Sequence, residues 1–399
     1  MKSERCWMDT DIQARLSALP PLRRAHAWID LPACKICGHA APFFDVVDFQ
    51  KRPSGYPFGP SGVGVPYFRC LVCGFLFTPF CDNWSKEDFA RYIYNSDYRL
   101  VDTEYGEARP TRTAEQISRL LASHQDAALL DYGAGTGVFA ARMNEKGFRA
   151  TAYDPFSAPE RPAGRFPIIT CFAVVEHSPH PLDTFAEMAA LLDEDGFMIV
   201  GQPFQPADIE AIRCNWWYIS PRNGHVSAYT DQAFAFIAQK NGLTFYRGKA
   251  AWHVFTKGTS GRWHEIAKRL GHPWRSFALG ATQDGPFLPP EGLEAERFQW
   301  TNDRTVAWHR HVAATPDLTC QIAIPFAREP RQGFAKECSI VVNETALPVE
   351  VRSSVLLAEA PLADARDVAV TLQMPELVAI QNRQVGLGLR ILSSAYAAG

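Results

Sequence analysis

Nowhere in the 399 residues does an apolar run approach the ~18 positions that suggest a bilayer span. The first ten residues, Met1 to Thr10, hold no apolar core of the kind that directs secretion. No internal repeat and no low-complexity tract stands out, so nothing suggests a solenoid or a long disordered linker. The formal net charge is only −3, from 40 basic and 43 acidic residues. A polyanionic partner usually demands a strongly basic face, so nucleic acid is not the expected ligand. These absences predict a soluble, cytoplasmic protein with no membrane span. Length by itself suggests two or three domains. A chain this long buries enough apolar surface to need no disulfide framework. Ten cysteines are present nevertheless, and four of them form two CxxC pairs. In a reducing compartment that pattern suggests metal more than disulfides.

The pairs are CKICG, with Cys34 and Cys37, and CLVCG, with Cys70 and Cys73. Two knuckles, each closed by a glycine turn, supply four thiolates in a tetrahedron, which suits structural Zn²⁺. A closed Cys₄ site has no open position for a substrate, so its expected role is stability or docking.

Three styles of sequence follow one another. Residues 1–85 hold the CxxC pairs. Residues 86–257 alternate strand-like and helix-like segments. From 298 to 399 the pattern is all-β, with period-2 runs such as Cys320, Ile322, Ile324 and Phe326, or Val368, Val370, Leu372 and Met374. Such alternation predicts a C-terminal β-sandwich. Residues 258–297 read as a helix and a linker, with helical spacing at Trp263, Ile266, Ala267 and Leu270 and a proline-rich boundary from Pro286 to Gly292.

In the middle block, LLDYGAGTGVFA places a buried strand before Asp131 and Gly133, Gly135 and Gly137 before a helix. Glycines here let the chain turn sharply and let a ligand approach the main chain. The spacing is GxGxG rather than GxGxxG, and the strand ends in an acid. A carboxylate beside a ligand ammonium is sensible charge pairing, whereas beside a pyrophosphate it is repulsive. The loop therefore fits an adenosyl amino acid better than a dinucleotide. Asp154 ends the next strand, where a carboxylate can accept ribose hydroxyls. Leu243–Arg247 and Trp252–Thr256 lie too close for an intervening helix and should form an antiparallel hairpin.

With these motifs in view, residues about 86–257 resemble the class I, Rossmann-like methyltransferases. LLDYGAGTGVFA looks like their first motif, ITCFAVVEHSPHPL like their fourth-strand motif, and LLDEDGFMIVGQP like their fifth strand. The resemblance implies an α/β sheet and S-adenosylmethionine held by Asp131, Gly133, Gly135, Gly137 and Asp154. One departure is clear. The family fits a helix and a third strand after the second strand, but PFSAPERPAGRF (155–166) is too short and proline-rich for both. The sheet is expected to be one strand short, with adenine contacts unassigned. A Cys₄ module ahead of such a domain resembles the layout of deoxysugar C-methyltransferases. Some ribosomal-RNA methyltransferases also carry a zinc module.

Methyl transfer from a sulfonium needs a base only where the acceptor loses a proton. Glu176 and His177 follow a central strand, where open α/β sheets present ligands. They are the first catalytic candidates, with ordering of the loop as the competing role. His225 in RNGHVSAY is the second. Tyr92, Tyr94, Tyr98 and Tyr105 suggest a lid, with Arg109 and Arg112 behind it as grips for an acidic group or as surface charge. Trp216, Trp217 and Tyr218 either stack on a substrate ring or pack under the lid. Trp300 and Trp308 mark either a glycan surface or the C-terminal core. The leading expectation is methyl transfer to a small molecule, a sugar, nucleotide-sugar or saccharide. The alternatives are an RNA methyltransferase and a non-catalytic scaffold.

Overall fold

The computed structural model describes residues 32–53, 55, 58–157, 160–248, 251–257, 264–281, 298–312, 317–352, 354–362, 367–380 and 383–390. Trp263 and the boundary from Pro286 to Gly292 lie outside the described residues.

The N-terminal part forms strands β1 (Phe43–Asp48), β2 (Gly64–Arg69) and β3 (Leu76–Phe77). Helix α1 (Lys86–Tyr92) starts from a capping box in which the Ser85 side chain accepts from the Asp88 N–H and Asp88 answers to the Ser85 N–H. The short α2 (Tyr98–Val101) and longer α3 (Ala108–Leu120) follow.

The central part runs β4 (Ala128–Tyr132), α4 (Val138–Glu145), β5 (Arg149–Tyr153), β6 (Phe166–Phe172), α5 (Pro181–Leu191), β7 (Leu192–Gly201), α6 (Ile209–Ile212), β8 (Ser227–Ala228), α7 (Asp231–Lys240), β9 (Leu243–Gly248) and β10 (Trp252–Lys257). Strands β5, β4, β6 and β7 are parallel neighbours in that order. Strand β10 joins β7 antiparallel, and β9 closes the expected hairpin with it. This is the Rossmann-like sheet without its third strand: among the described residues no strand lies outside β5.

Period-2 alternation sorts each strand's side chains onto two faces. Leu129, Ile168, Phe197, Ile199, Tyr246 and Val254 pack on one side with Ile117, Phe139, Met143 and Ile266. Leu130, Ile169, Met198, Val200, Phe245 and Phe255 pack on the other with Phe185, Met188 and Phe234. The four CxxC cysteines belong to this second core, so the Cys module lies against the α5–α7 face.

The segment read as helix and linker carries α8 (His264–Leu270) and a further strand, β11 (Gly271–Ala278). Strand β11 pairs antiparallel with β9 and parallel with the first long C-terminal strand, extending one sheet through both regions. The C-terminal strands are β12 (Phe298–Trp300), β13 (Thr305–His311), β14 (Thr319–Arg328), β15 (Ser339–Val342), β16 (Thr345–Leu347), β17 (Glu350–Arg352), β18 (Val355–Pro361), β19 (Asp367–Gln373), β20 (Val378–Ile380), β21 (Arg383–Val385) and β22 (Gly388–Arg390). The long sheet is ordered β12-β22-β14-β11-β9-β10-β7-β6-β4-β5, with β18 pairing to both β14 and β17. A second, antiparallel sheet, β13-β19-β15-β16, shares one hydrophobic core with β14 and β18 through Trp308, Val370, Ile322 and Leu356.

Strand β6 ends at Phe172, because Ala173 takes φ of 55° and Val175–His177 form a 3₁₀ turn.

Candidate functional site

Asp131, Gly133 and Asp154 lie where the parallel strands β4 and β5 end. Gly133, Gly135 and Gly137 have φ of 75°, 50° and 75°, a region open to glycine and costly for other residues. At Gly133 closeness matters as well, since a Cβ there would lie 2.3 Å from Val174 Cγ2. At Gly135 a Cβ would meet nothing within 4 Å, so the loop opens onto free space. Asp154 reaches back to this loop: its Oδ2 accepts from the Gly135 N–H at 2.8 Å, and its Oδ1 from the Phe156 N–H at 2.8 Å.

Asp131 is buried at 4% exposure, and its Oδ2 has no hydrogen-bond partner. Burial pushes its carboxyl up to about 7, against a weak contact from the Thr170 hydroxyl and with the Asp154 charge adding to the rise. A buried carboxylate with an orphaned oxygen calls for a cation. The ammonium of an adenosyl amino acid fits that need.

The short segment after Asp154 docks against α1 and Tyr94. Lys86 Nζ donates to the Pro155 carbonyl at 2.6 Å. The Phe156 ring meets Phe89 and Tyr94 edge-on, at 6.1 and 5.6 Å between centroids.

The three catalytic candidates converge. Glu176, His177 and His225 each offer a ligand atom within 4.8 Å of the others. Both imidazoles are oriented by main-chain carbonyls. His177 Nδ1 lies 3.1 Å from Gly224 O, and His225 Nδ1 lies 2.7 Å from Tyr218 O. Each Nδ1 therefore carries the proton, and each Nε2 presents a lone pair. For His225 that lone pair accepts from Asn223 Nδ2 at 3.0 Å. Burial pulls both histidines down to about 4, so they are neutral at pH 7. Glu176 is pushed up by burial and partly held down by His225 and by the Tyr218 hydroxyl, which donates to Oε1 at 2.9 Å. Glu176 Oε2 and Asn223 Oδ1 are buried without partners.

Tyr218 and Asn223 are the residues that sequence reasoning missed as parts of this group. Tyr218 sat in an aromatic triplet with no polar signal, and Asn223 stands two residues before His225. Trp216 and Tyr218 are buried, while Trp217 is 54% exposed. Arg109 and Arg112 are engaged within the chain. Arg109 grips Asp102 at 2.7 and 2.9 Å, and Arg112 meets Glu104 at 2.9 Å. Trp300 and Trp308 are core residues, at 7% and 4% exposure.

The four cysteine thiols also gather. Their sulfurs lie within 4.8 Å of one another, with Cys34–Cys73 at 3.6 Å and Cys37–Cys70 at 3.4 Å. Each CxxCG forms the same turn. Gly38 N–H donates to Cys34 O, and Gly74 N–H to Cys70 O. The N–H groups of Val72 and Cys73 point at Cys70 Sγ. Tetrahedral Zn–S bonds of about 2.3 Å place sulfurs about 3.8 Å apart, close to these separations.

This module is tied to the catalytic candidates. Strand β3 pairs with β8, and the Tyr67 hydroxyl donates to the His225 carbonyl at 2.7 Å. The Val226 N–H in turn donates to Glu176 O.

The family model described as methyltransferase domain matches residues 105–247. The chain carries a methyltransferase domain. That span of the methyltransferase includes the glycine loop, both aspartates and all three catalytic candidates. Among solved structures the chain is similar to a Burkholderia thailandensis 1,6-didemethyltoxoflavin-N1-methyltransferase with bound S-adenosylhomocysteine. Identity is 21%, over 43% of this chain and 85% of that one, at a TM-score of 0.31. A magnesium protoporphyrin IX methyltransferase from Synechocystis PCC 6803, also with bound S-adenosylhomocysteine, is 12% identical over 44% and 94%, at 0.29. An O-methyltransferase family protein from Burkholderia thailandensis is 11% identical over 43% of this chain and 64%, less than two thirds, of its own, at 0.31. No curated protein matches the chain. No described helix is long and apolar enough to cross a membrane.

Proposed function

We propose that this protein transfers the methyl group of S-adenosylmethionine to a small-molecule acceptor, a sugar, nucleotide-sugar or saccharide. The observation that carries the reading is the orphaned, buried carboxylate of Asp131 beneath the left-handed glycine loop, with Asp154 beside it. Asp131 would hold the ligand's ammonium, the Gly133–Gly137 backbone would face it, and Asp154 would accept its ribose hydroxyls. When bound, S-adenosylmethionine supplies a methyl group on a positive sulfur, open to in-line attack. The domain's own residues then handle position and proton. His177, fixed through Nδ1, uses Nε2 to take the proton that the acceptor loses. His225, Tyr218 and Glu176 hold the neighbouring polar wall. Placing the nucleophile on the methyl supplies much of the acceleration in such displacements.

Cys34, Cys37, Cys70 and Cys73 would hold one structural Zn²⁺, which adds no open coordination position and acts by fixing the module under β8. Calorimetry of the zinc-loaded protein with S-adenosylhomocysteine tests the cofactor half. One-to-one binding is expected, and its absence from a folded sample would favour a scaffold. A panel of nucleotide-sugars and free saccharides, read by S-adenosylhomocysteine release, tests the acceptor half.

A further inference from the structure

A cleft lies where the Cys module, the methyltransferase domain and the C-terminal strands meet. Arg69 reaches it from β2, Asp231 and Gln232 from the first turn of α7, Arg247 from β9, Gln321 from β14 and Arg352 from β17. None of the residues assigned above to the cofactor or to proton handling lines it.

Its polar groups are incompletely used. Gln232 Nε2 and Gln321 Oε1 are buried with no hydrogen-bond partner, on residues 8% and 6% exposed. Buried amide groups are almost always paired, so two orphans on one cleft point to a missing ligand. One is a donor and the other an acceptor.

Three guanidiniums and one carboxylate line the cleft, and that carboxylate, Asp231 Oδ2, lies 3.0 Å from Arg247 Nη2. The other acids that pair with these arginines stand out towards solvent. Glu210, Glu359 and Glu350 have side chains 46%, 44% and 58% exposed. Arg69, by contrast, is buried, with a side chain 9% exposed. Its Nε donates to Gln205 Oε1 at 2.9 Å and its Nη1 to Glu210 Oε1 at 3.0 Å. Burial pushes Asp231 up, and its ion pair with Arg247 opposes this.

We infer that this cleft binds a small hydroxylated anion. Its carboxylate or phosphate oxygens are taken by Arg69, Arg247, Arg352 and the Gln232 amide, and its hydroxyl donates to Gln321 Oε1. Guanidinium forks suit both kinds of oxyanion. Because the cleft is built from all three parts of the chain, the ligand binds only the assembled fold and therefore raises its melting temperature.

The test is calorimetry and thermal denaturation of the full zinc-loaded chain with four probes: glycerol 3-phosphate, glycerate, inorganic phosphate and glycerol. Saturable one-to-one binding of glycerol 3-phosphate or glycerate is expected, and whichever binds tighter identifies the acid. R352Q and Q321L should each weaken it about tenfold, or about 1.4 kcal/mol, without changing the affinity for S-adenosylhomocysteine. Arg352 is a partly exposed strand residue and Gln321→Leu removes only a polar head, so one variant serves if the other misfolds. Absence of saturation by either acid up to about 10 mM overturns the proposal, as does binding that both variants leave unchanged. Equal affinity for inorganic phosphate and glycerol 3-phosphate overturns the hydroxyl contact. Saturation by glycerol alone overturns the anion.

Discussion

The Tyr67 hydroxyl, carried by the middle strand of the Cys module, donates to the main-chain carbonyl of His225 at 2.7 Å. Both groups are buried, and β8 begins two residues further on. The module therefore forms part of the wall that holds a catalytic candidate in place. Tyr67→Phe leaves that carbonyl unpaired, at a cost of about 1–3 kcal/mol. The expected outcome is a lower melting temperature and slower methyl transfer with unchanged S-adenosylhomocysteine affinity. Equal losses of affinity and rate would show a general loosening instead. Stripping the proposed zinc with a strong chelator should act on the same element more severely, with one metal released per chain by colorimetric assay.

Asp131 gives the cofactor reading a pH signature. Its carboxyl titrates near 7 in the free protein, pushed up by burial. A ligand ammonium requires the ionised form, so binding below that pH must expel a proton. Affinity for S-adenosylhomocysteine should rise up to tenfold per pH unit below about 7 and level off above it. Calorimetry at pH 6 in buffers of different ionisation enthalpy reads the released proton directly. Asp131→Asn should lose affinity and this dependence together. The sign for stability is opposite. A carboxyl raised on folding costs stability once pH exceeds its unfolded value near 4, with the full cost reached above about 7. The unliganded D131N protein should therefore be more stable than the parent at pH 8, by about 1–4 kcal/mol. Urea denaturation at pH 8 decides this.

Gly135→Asp separates binding from folding. The position opens onto free space, so a side chain meets no wall, and the cost of φ at 50° is about 1–2 kcal/mol. The new carboxylate faces Asp154, which the Gly135 N–H already contacts. S-adenosylhomocysteine binding should disappear while circular dichroism and the cooperative unfolding transition remain. Retained affinity would place the cofactor elsewhere.

His177→Gln probes the proton step. Removing a general base typically slows turnover by about 10²–10⁴-fold. The expected pattern is that loss in kcat with cofactor affinity intact. In the parent, kcat should fall only as pH drops towards 4, where the buried imidazole gains its proton. A rise in KM with kcat nearly unchanged would leave His177 a residue that orders the loop.

His253 supplies an internal check on stability. It is 1% exposed, stacks on Phe204 at 4.0 Å and bonds to the Gln202 carbonyl through Nε2 at 3.0 Å. Burial pulls it down to about 4. Between pH 6.5 and 4 the unfolded chain binds its proton and the folded chain does not, so stability falls as pH falls, by up to about 3 kcal/mol. In His253→Gln the unfolding free energy should depend less steeply on pH over that window, measured by urea titrations at pH 7.5 and 5.

The sequence by itself determined the elements whose chemistry is local. The glycine loop, its two aspartates, the paired CxxCG turns and the closing hairpin all depend on neighbouring residues, and the structure places them as the spacing requires. That no strand lies outside β5 among the described residues was legible too, because PFSAPERPAGRF is too short for a helix and a strand. Strand β11 was not. HPWRSFA has no clean alternation, and it becomes a strand because β9 and β14 offer it hydrogen-bonding edges on both sides. Tertiary structure alone brought Glu176, His177 and His225 together, since a 3₁₀ turn after β6 and a loop held by the Cys module converge there. It alone paired Arg109 with Asp102, and it alone left Gln232 and Gln321 unsatisfied on one cleft, because that cleft draws on residues nearly three hundred positions apart. Local sequence sets the geometry of a turn; which charges are paired and which polar groups are stranded depends on what the rest of the chain brings within reach.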